Sequence, residues 1–437
     1  MLETSADTPR RSARERITRR QWTTLAGTTL GWGLEGFDAS LFTLVVVPAT
    51  KDILGPQANA ASVAFHVGLA VTLFLGGWAV GGLLFGMLSD YFGRVRILMA
   101  GVLVYAVFTA ASALAHEFWQ LAALRFVAGL GSGVEGPVGA ALIAETWNNR
   151  YRARAAGVMA SGYAAGFFLA SLVYGLIGAH GWRVTLLVAV VPAVVALFIR
   201  RYVREPEAAI AVRRRRAQRR AASAPRTAED RFVLRQVFTP PLLRHTVGCL
   251  LISTGALFAF WSITTWTPQI ITTLAAARGI PPVAAVATAT ALLNLGGVIG
   301  YASWGFIADA IGRRAAFMIS FAASAAGVCA LFPFHHSYQT YLWLLPLVGF
   351  GIFGTLGGNL VCFPELFPTG VRASAVALAN STGRLLTAAG PLVAGTVATR
   401  YFAGDLGLAV TLVSAVLLIG VVGVAVLPET KGITLDA

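Results

Sequence analysis

The chain has 437 residues, of which 57% are hydrophobic and 12% charged, and its formal net charge is +15. Soluble domains carry about a quarter charged residues, so this composition excludes a water-soluble globule. In so apolar a chain the surplus of positive charge reads as membrane topology and not as a nucleic-acid surface.

Residues 1–21 form a polar, basic tail with no apolar h-region, which reads as a cytoplasmic segment and not a cleavable signal peptide. Twelve apolar stretches follow, each roughly 20 residues or more, long enough to cross a bilayer core of about 30 Å. Lipid offers no partners to an open backbone, so each is expected to be a helix. The first, 22–47, contains Glu35-Gly-Phe-Asp38. The second, 65–89, runs into the loop Gly86-Met-Leu-Ser-Asp90-Tyr-Phe-Gly93-Arg94. The third spans 97–115; the fourth, 119–144, carries Arg125 and Glu135; the fifth, 155–178, carries Tyr163; the sixth spans 183–203. Residues 204–243 are rich in Arg, Ala, Pro and acids, cannot bury a core and are expected to be a basic linker.

The second set begins with 245–274, which holds Trp261 and Trp266. Next come 284–308, with Asn294 and the loop Gly305-Phe-Ile-Ala-Asp309-Ala-Ile-Gly312-Arg313, and 315–334. The tenth, 340–363, holds Asn359; the eleventh, 373–398, holds Asn380 and Arg384; the twelfth is 406–427, followed by a short tail, 428–437. The spacing G-x-x-x-D-x-x-G-R thus occurs twice, once per set of six. Two homologous halves, 22–203 and 244–427, are the expected plan, as in transporters built from internal repeats. With the N-terminus in the cytoplasm, 28 of the 34 Lys and Arg fall on inner tails and loops, four on outer loops and two inside spans. The positive-inside rule therefore places both termini in the cytoplasm. The run Arg213-Arg-Arg-Arg216 is expected to meet anionic lipid headgroups; the alternative, nucleic acid, has no support in this setting. Cys249, Cys329 and Cys362 have no paired spacing and read as packing residues, and adjacent His335-His336 reads as a solvated loop. No metal or cofactor site is expected.

These residues carry a resemblance. The two loops, Arg125-Phe-Val-Ala-Gly129-Leu-Gly131 in the fourth span and Pro428-Glu429-Thr430 after the last resemble the major facilitator superfamily over nearly the whole chain. One departure is Tyr91, with its counterpart Ala310, where that family often has a basic residue. Glu35-Gly-Phe-Asp38 is similar to the D-G-F-D pattern of aromatic-acid:proton symporters. Gly129-Leu-Gly-Ser-Gly133-Val-Glu135, Gly181-Trp182-Arg183 and Glu365-Leu-Phe-Pro368-Thr-Gly-Val-Arg372 resemble metabolite:proton symporters, including lactate and sialate carriers. The resemblance implies an all-α fold of twelve transmembrane helices in two pseudo-symmetric halves. It implies no enzyme but a carrier of small organic anions with protons. It implies that Arg125 serves proton coupling, that helices 7 and 10 line the cavity, and that the repeated loops (Gly86, Asp90, Gly93 and Arg94; Gly305, Asp309, Gly312 and Arg313) latch the cytoplasmic side. Pure turn chemistry is the alternative for the loops.

Charges inside the spans carry the chemistry, because each costs at least about 2.5–3.5 kcal/mol near the bilayer centre. Glu35 and Asp38 are three residues apart, on one face of a helix with a rise of about 4.5 Å between them. Two partly desolvated carboxyls so close do not both ionise easily, which suits a proton carrier; the alternative is an ion pair with arginine that braces helices. Asp38 and Arg125 stand at depths from which they are expected to meet. Glu135 reads equally as a second proton site or as a brace. Arg384 has no acidic partner within the second-half spans, and its planar fork matches a carboxylate; the alternative is hydrogen bonding to backbone. Trp261, Asn359, Asn380 and Tyr163 are candidate substrate contacts, against plain packing. No nucleotide-binding G-x-x-x-x-G-K-[ST] run occurs, so a gradient is the expected driving force. The expectation is a monomeric inner-membrane symporter of a small organic anion and protons. The alternatives are a proton-driven exporter, a neutral-sugar carrier and a membrane receptor; the short tails and linker offer a receptor no signalling domain.

Overall fold

The computed structural model describes residues 17–56, 58–92, 94–147, 151–199, 236–334, 336–368 and 372–432. All regular structure among them is helical. The linker expected at 204–243 lies outside them up to residue 235.

The first half comprises α1 (Arg19–Leu54), α2 (Ala60–Phe92), α3 (Arg94–Ala111), α4 (Phe118–Ser132), α5 (Glu135–Thr146), α6 (Arg152–Ile177), α7 (Trp182–Leu187) and α8 (Val190–Ile199). The second half comprises α9 (Pro240–Ala276), α10 (Pro282–Ile311), α11 (Arg313–Leu331), α12 (Tyr338–Cys362), α13 (Arg372–Thr387), α14 (Gly390–Tyr401), α15 (Leu406–Ser414) and α16 (Leu417–Val426). Each expected span has its helix, but the fourth, sixth, eleventh and twelfth are each built from two segments. Three of these breaks have one cause. Pro137, Pro192 and Pro391 follow the interruptions and have no N–H to bond the carbonyls of Gly133, Val188 and Thr387, four residues back. The twelfth span breaks at Ala415–Val416 without a proline; its backbone tightens there to i→i+3 bonds such as Leu418 N to Ala415 O.

Helix ends overrun the apolar stretches. α1 continues past the expected end at 47 through Lys51 and Asp52, and stops at Gly55, where φ is +73°. Its start is fixed by a capping box in which Thr18 accepts from Gln21 N and Gln21 accepts from Thr18 N.

The halves meet along α6 and α10, along α2 with α13 and α14, and along α1 with α9. Close approach depends on small residues. A Cβ on Gly305 of α10 would stand 2.3 Å from the carbonyl oxygen of Ala153 on α6, so only glycine lets these helices touch. The face of the bundle bearing both described chain ends also carries Arg152, Arg154, Arg313 and Arg314 and is called the basic face below.

Candidate functional site

Between the halves lies a small cavity of about 30 Å³. The first half contributes Trp32, Trp78, Gly136 and Tyr163; the second contributes Trp261, Tyr301, Asn359, Asn380 and Arg384, among others. Every lining residue is buried. Contacts between the halves close both ends. Toward the far face, Thr72 Oγ1 donates to Ala388 O at 2.7 Å and Asn294 Nδ2 donates to Ser171 Oγ at 3.2 Å. The basic face is closed by the ion cluster described below.

The walls are aromatic. Trp261 stands edge-on to Trp78, with centroids 5.7 Å apart, and Tyr163 packs against Trp32 at 4.9 Å. Arg384 is the cation in this lining. Its guanidinium carbon lies 4.2 Å from the Trp78 ring centroid, and its Nε is buried without a hydrogen-bond partner among the described residues. Glu35 of the first half lies within electrostatic reach of it. A cation on an aromatic face, with its donor edge unsatisfied, is a ready anchor for a carboxylate.

Asn359 and Asn380 both line the cavity and are tied through one hydroxyl. Asn359 Nδ2 donates to Ser253 Oγ at 3.3 Å, and Ser253 Oγ donates to Asn380 Oδ1 at 3.5 Å. Asn359 Oδ1 is left without a partner among the described residues. Trp266 and Asn294 do not line the cavity: Trp266 Nε1 donates to Pro391 O at 3.0 Å, and Asn294 Nδ2 is committed to Ser171, its Oδ1 having no partner among the described residues.

Behind the first-half wall lie the buried charges. Asp38 and Arg125 are both fully buried, yet no direct ion pair joins them. Asp38 Oδ2 accepts from Thr109 Oγ1 at 3.0 Å, while Arg125 Nε donates to Ser112 Oγ at 3.1 Å. Asp38 Oδ1 and Arg125 Nη1 and Nη2 have no hydrogen-bond partner among the described residues. Arg125 instead lies against Phe42, 4.8 Å from the ring centroid. The expected meeting is thus an interaction at a distance: each group acts on the other's charge, and a hydroxyl from the end of the third span holds each. Glu35 is fully buried with both oxygens unpartnered, and Glu135 Oε1 is likewise unpartnered among the described residues. Thr109, Ser112, Trp78, Trp32, Tyr301 and Ser253 were not singled out from sequence. The signal available was the Thr109/Ser112 spacing of three, one helical turn, in an otherwise apolar span.

The second copy of the repeated loop builds the closure at the basic face. Arg313 Nε and Nη2 donate to Glu365 Oε2 and Oε1, each at 3.1 Å. Arg152 Nη2, from the first half, lies 3.6 Å from Glu365 Oε1. Asp309 Oδ1 is 3.2 Å from Arg313 Nη1, and its Oδ2 is 3.3 Å from Arg154 Nε, again across the halves. Gly312 adopts φ +102°, and a Cβ there would stand 2.8 Å from Glu429 Oε2. That space lets Glu429 accept from the backbone N–H groups of Arg313 and Arg314 at 2.8 and 3.1 Å, satisfying donors at the start of α11. Asp309 therefore pairs charges while Glu429 does the capping. Burial alone would raise the Glu429 pKa, but backbone N–H donors from Arg313, Arg314, Lys431 and Thr430 outweigh it and hold it below the ordinary 4.5. At Ala310, the position of the missing basic residue, Lys431 Nζ donates to the backbone carbonyl at 2.8 Å. In the first copy, Gly93 lies outside the described residues, and the surroundings of Gly86, Asp90 and Arg94 are not among those described.

Comparison with known proteins agrees with this architecture. Residues 28–391 match the Major Facilitator Superfamily model. The chain is 31% identical over 420 residues to a putative metabolite transport protein of Haemophilus influenzae, covering 95% of this chain and 98% of that one. It is 30% identical over 423 residues to a probable 4-methylmuconolactone transporter of Cupriavidus pinatubonensis, covering 93% and 90%. Among solved structures, the proton:xylose symporter XylE bound to a bromo-deoxyglucose superposes with a TM-score of 0.75 at 19% identity, covering 95% and 97%, which shows the shared twelve-span fold. The chain therefore belongs to the Major Facilitator Superfamily, and it is a multi-pass membrane transporter, not an enzyme.

Proposed function

We propose that this transporter imports a small organic carboxylate together with protons, by alternating access of the central cavity to the two sides of the cell membrane. The observation that carries the reading is Arg384: a buried guanidinium on the wall of an aromatic cavity between the halves, with an unsatisfied donor. Relatives named for transport of 4-methylmuconolactone, cis,cis-muconate and gentisate support an organic acid as cargo. Arg384 anchors the carboxylate, Trp261 and Tyr163 cover the body of the substrate, and Asn359 and Asn380 address its polar end. The carboxyls of Asp38, Glu35 and Glu135 form the proton path, with Arg125 as the fixed cation opposite Asp38.

In this reading the basic face lies in the cytoplasm, against anionic lipid, which the asymmetry of positive charge supports, and the protein works as a monomer in the inner membrane. Coupling requires that anion and proton together favour the occluded form more than either does alone. The contacts of Arg152 with Glu365 and of Arg154 with Asp309, which cross between the halves, then break and re-form as the halves rock.

A neutral-sugar carrier has no use for Arg384, so the fold shared with a xylose symporter does not extend to cargo. Uptake of benzoate, gentisate, cis,cis-muconate, lactate and xylose by proteoliposomes tests the reading. Saturable uptake of one of the acids, and none of xylose, is expected; xylose uptake with no acid taken up would refute it.

A further inference from the structure

Three buried groups have hydrogen-bonding atoms without partners among the described residues: Arg384, in the cavity lining, through Nε, and, behind the first-half wall, Glu35 through both oxygens and Glu135 through Oε1. Glu35 lies three residues after Trp32 on α1, hence on the helix face that reaches the cavity lining. Glu135 precedes Gly136, which also lines the cavity, and its carboxyl fills the space beside Gly31, where a Cβ would stand 2.8 Å from Oε2. Gly31 is one turn before Glu35, so the two carboxyls lie along one side of α1. Arg384 approaches from the other half, over Trp78.

The groups acting on Glu35 are Glu135 from α5, Arg384 from α13 and Asp38 from its own helix; Tyr163 of α6 and Tyr105 of α3 in turn sense its charge. Arg384 is the cation in that set. Arg125 acts on Asp38 and is held by Ser112, Phe42 and Phe74. A carboxylate with no hydrogen-bond donor stays ionised in a dry site only beside a positive charge.

We infer that Arg384 is a shared counter-ion: it balances Glu35 when the cavity is empty and the substrate carboxylate when the cavity is filled, and Glu35 takes up a proton as the anion arrives. This rests on the reading of Arg384 as the carboxylate anchor. The charges balance. Before binding, one guanidinium balances one carboxylate across a gap, with no direct ion pair between them; afterwards it faces the substrate carboxylate, and Glu35 is a neutral acid. The proton comes from the water on the side where the cavity is open and leaves to the other side with the anion, so this step moves no net charge. Glu135, of the same sign and one turn away, makes a second uncompensated carboxylate here still less favourable.

The counter-ion role is tested without any substrate. Infrared difference spectra of the purified protein at neutral pH should show Arg384→Gln gaining the band of one protonated carboxyl relative to wild type. Arg384→Lys, which keeps the charge, should not gain it. In a Glu35→Gln background the gain should vanish. Absence of the band in Arg384→Gln, or its persistence after Glu35→Gln, overturns the proposal. Should Arg384→Gln fail to fold, titration of benzoate into wild type and Glu35→Gln, in buffers of different ionisation enthalpy, decides the same point. About one proton taken up per benzoate by wild type and none by Glu35→Gln is expected; equal uptake by both overturns the proposal. If no carboxylate binds wild type at all, the anchor reading fails and the exchange of counter-ions fails with it, while the infrared result still reports the Glu35–Arg384 relationship by itself.

Discussion

Arg384 of the second half lies over the indole of Trp78 in the first, 4.2 Å from guanidinium carbon to ring centroid. In a desolvated setting such a contact is worth about 2 kcal/mol or more, which offsets part of the cost of burying the charge. It also fixes the plane of the fork while leaving its edge for a carboxylate. Charge, orientation and junction between the halves therefore coincide at one side chain.

Arg384→Lys keeps the charge and loses the fork and the stacking. A charge-assisted hydrogen bond contributes about 1.5–3 kcal/mol, so the apparent Km for the transported acid should rise roughly ten- to a hundredfold. Initial-rate uptake measures it, and an unchanged Km would remove Arg384 from the site.

Asp38→Asn removes a buried carboxyl but keeps a group that can bond Thr109. Uphill accumulation should disappear, while exchange of internal for external labelled acid continues. Counterflow beside gradient-driven uptake separates the two, and full accumulation by the variant would exclude Asp38 from coupling.

Glu365→Gln breaks the paired hydrogen bonds with Arg313 and the contact with Arg152. All three side chains are buried, and removing one partner of such a cluster costs about 3–5 kcal/mol. The variant should unfold at lower temperature, and hydrogen exchange at the starts of α6 and α11 should rise. Asp309→Asn should be milder, because its partner Arg154 is 45% exposed, pairs of that kind contribute about 1 kcal/mol or less, and its other partner, Arg313, keeps both bonds to Glu365.

Glu429 gives a pH signature outside the membrane. Its pKa is held below 4.5 by backbone donors, so its contribution is complete above that value and fades as pH falls through the lower, folded-state value. Wild type should be more stable than Glu429→Gln at neutral pH, and the difference should shrink on acidification below 4.5. A difference in melting temperature independent of pH would show that the ionised form is not what matters.

Much of the fold was legible because lipid leaves the chain few options, and apolar length then fixes a helix. Helix interruptions were less so. Pro137, Pro192 and Pro391 break their spans, whereas Pro48, Pro268 and Pro346 lie inside continuous helices, and local sequence does not separate the cases. The buried charges also stood out, since each is costly in an oily segment. Their partners did not. Thr109, Ser112 and Ser253 are ordinary hydroxyls in apolar spans, and Trp78 became the seat of Arg384 only when the halves came together. The pairing of Asp309 with Arg154 likewise joins residues of different halves, and no spacing within one loop encodes it.

In the proposed function a proton gradient drives a carboxylate inward. Proteoliposomes acidified outside and held at zero membrane potential should accumulate the acid chosen by the uptake screen above its external concentration, and collapse of the pH gradient should release it. Accumulation only when the interior is the acidic side would make the protein an exchanger, and accumulation unaffected by the gradient would contradict proton coupling altogether.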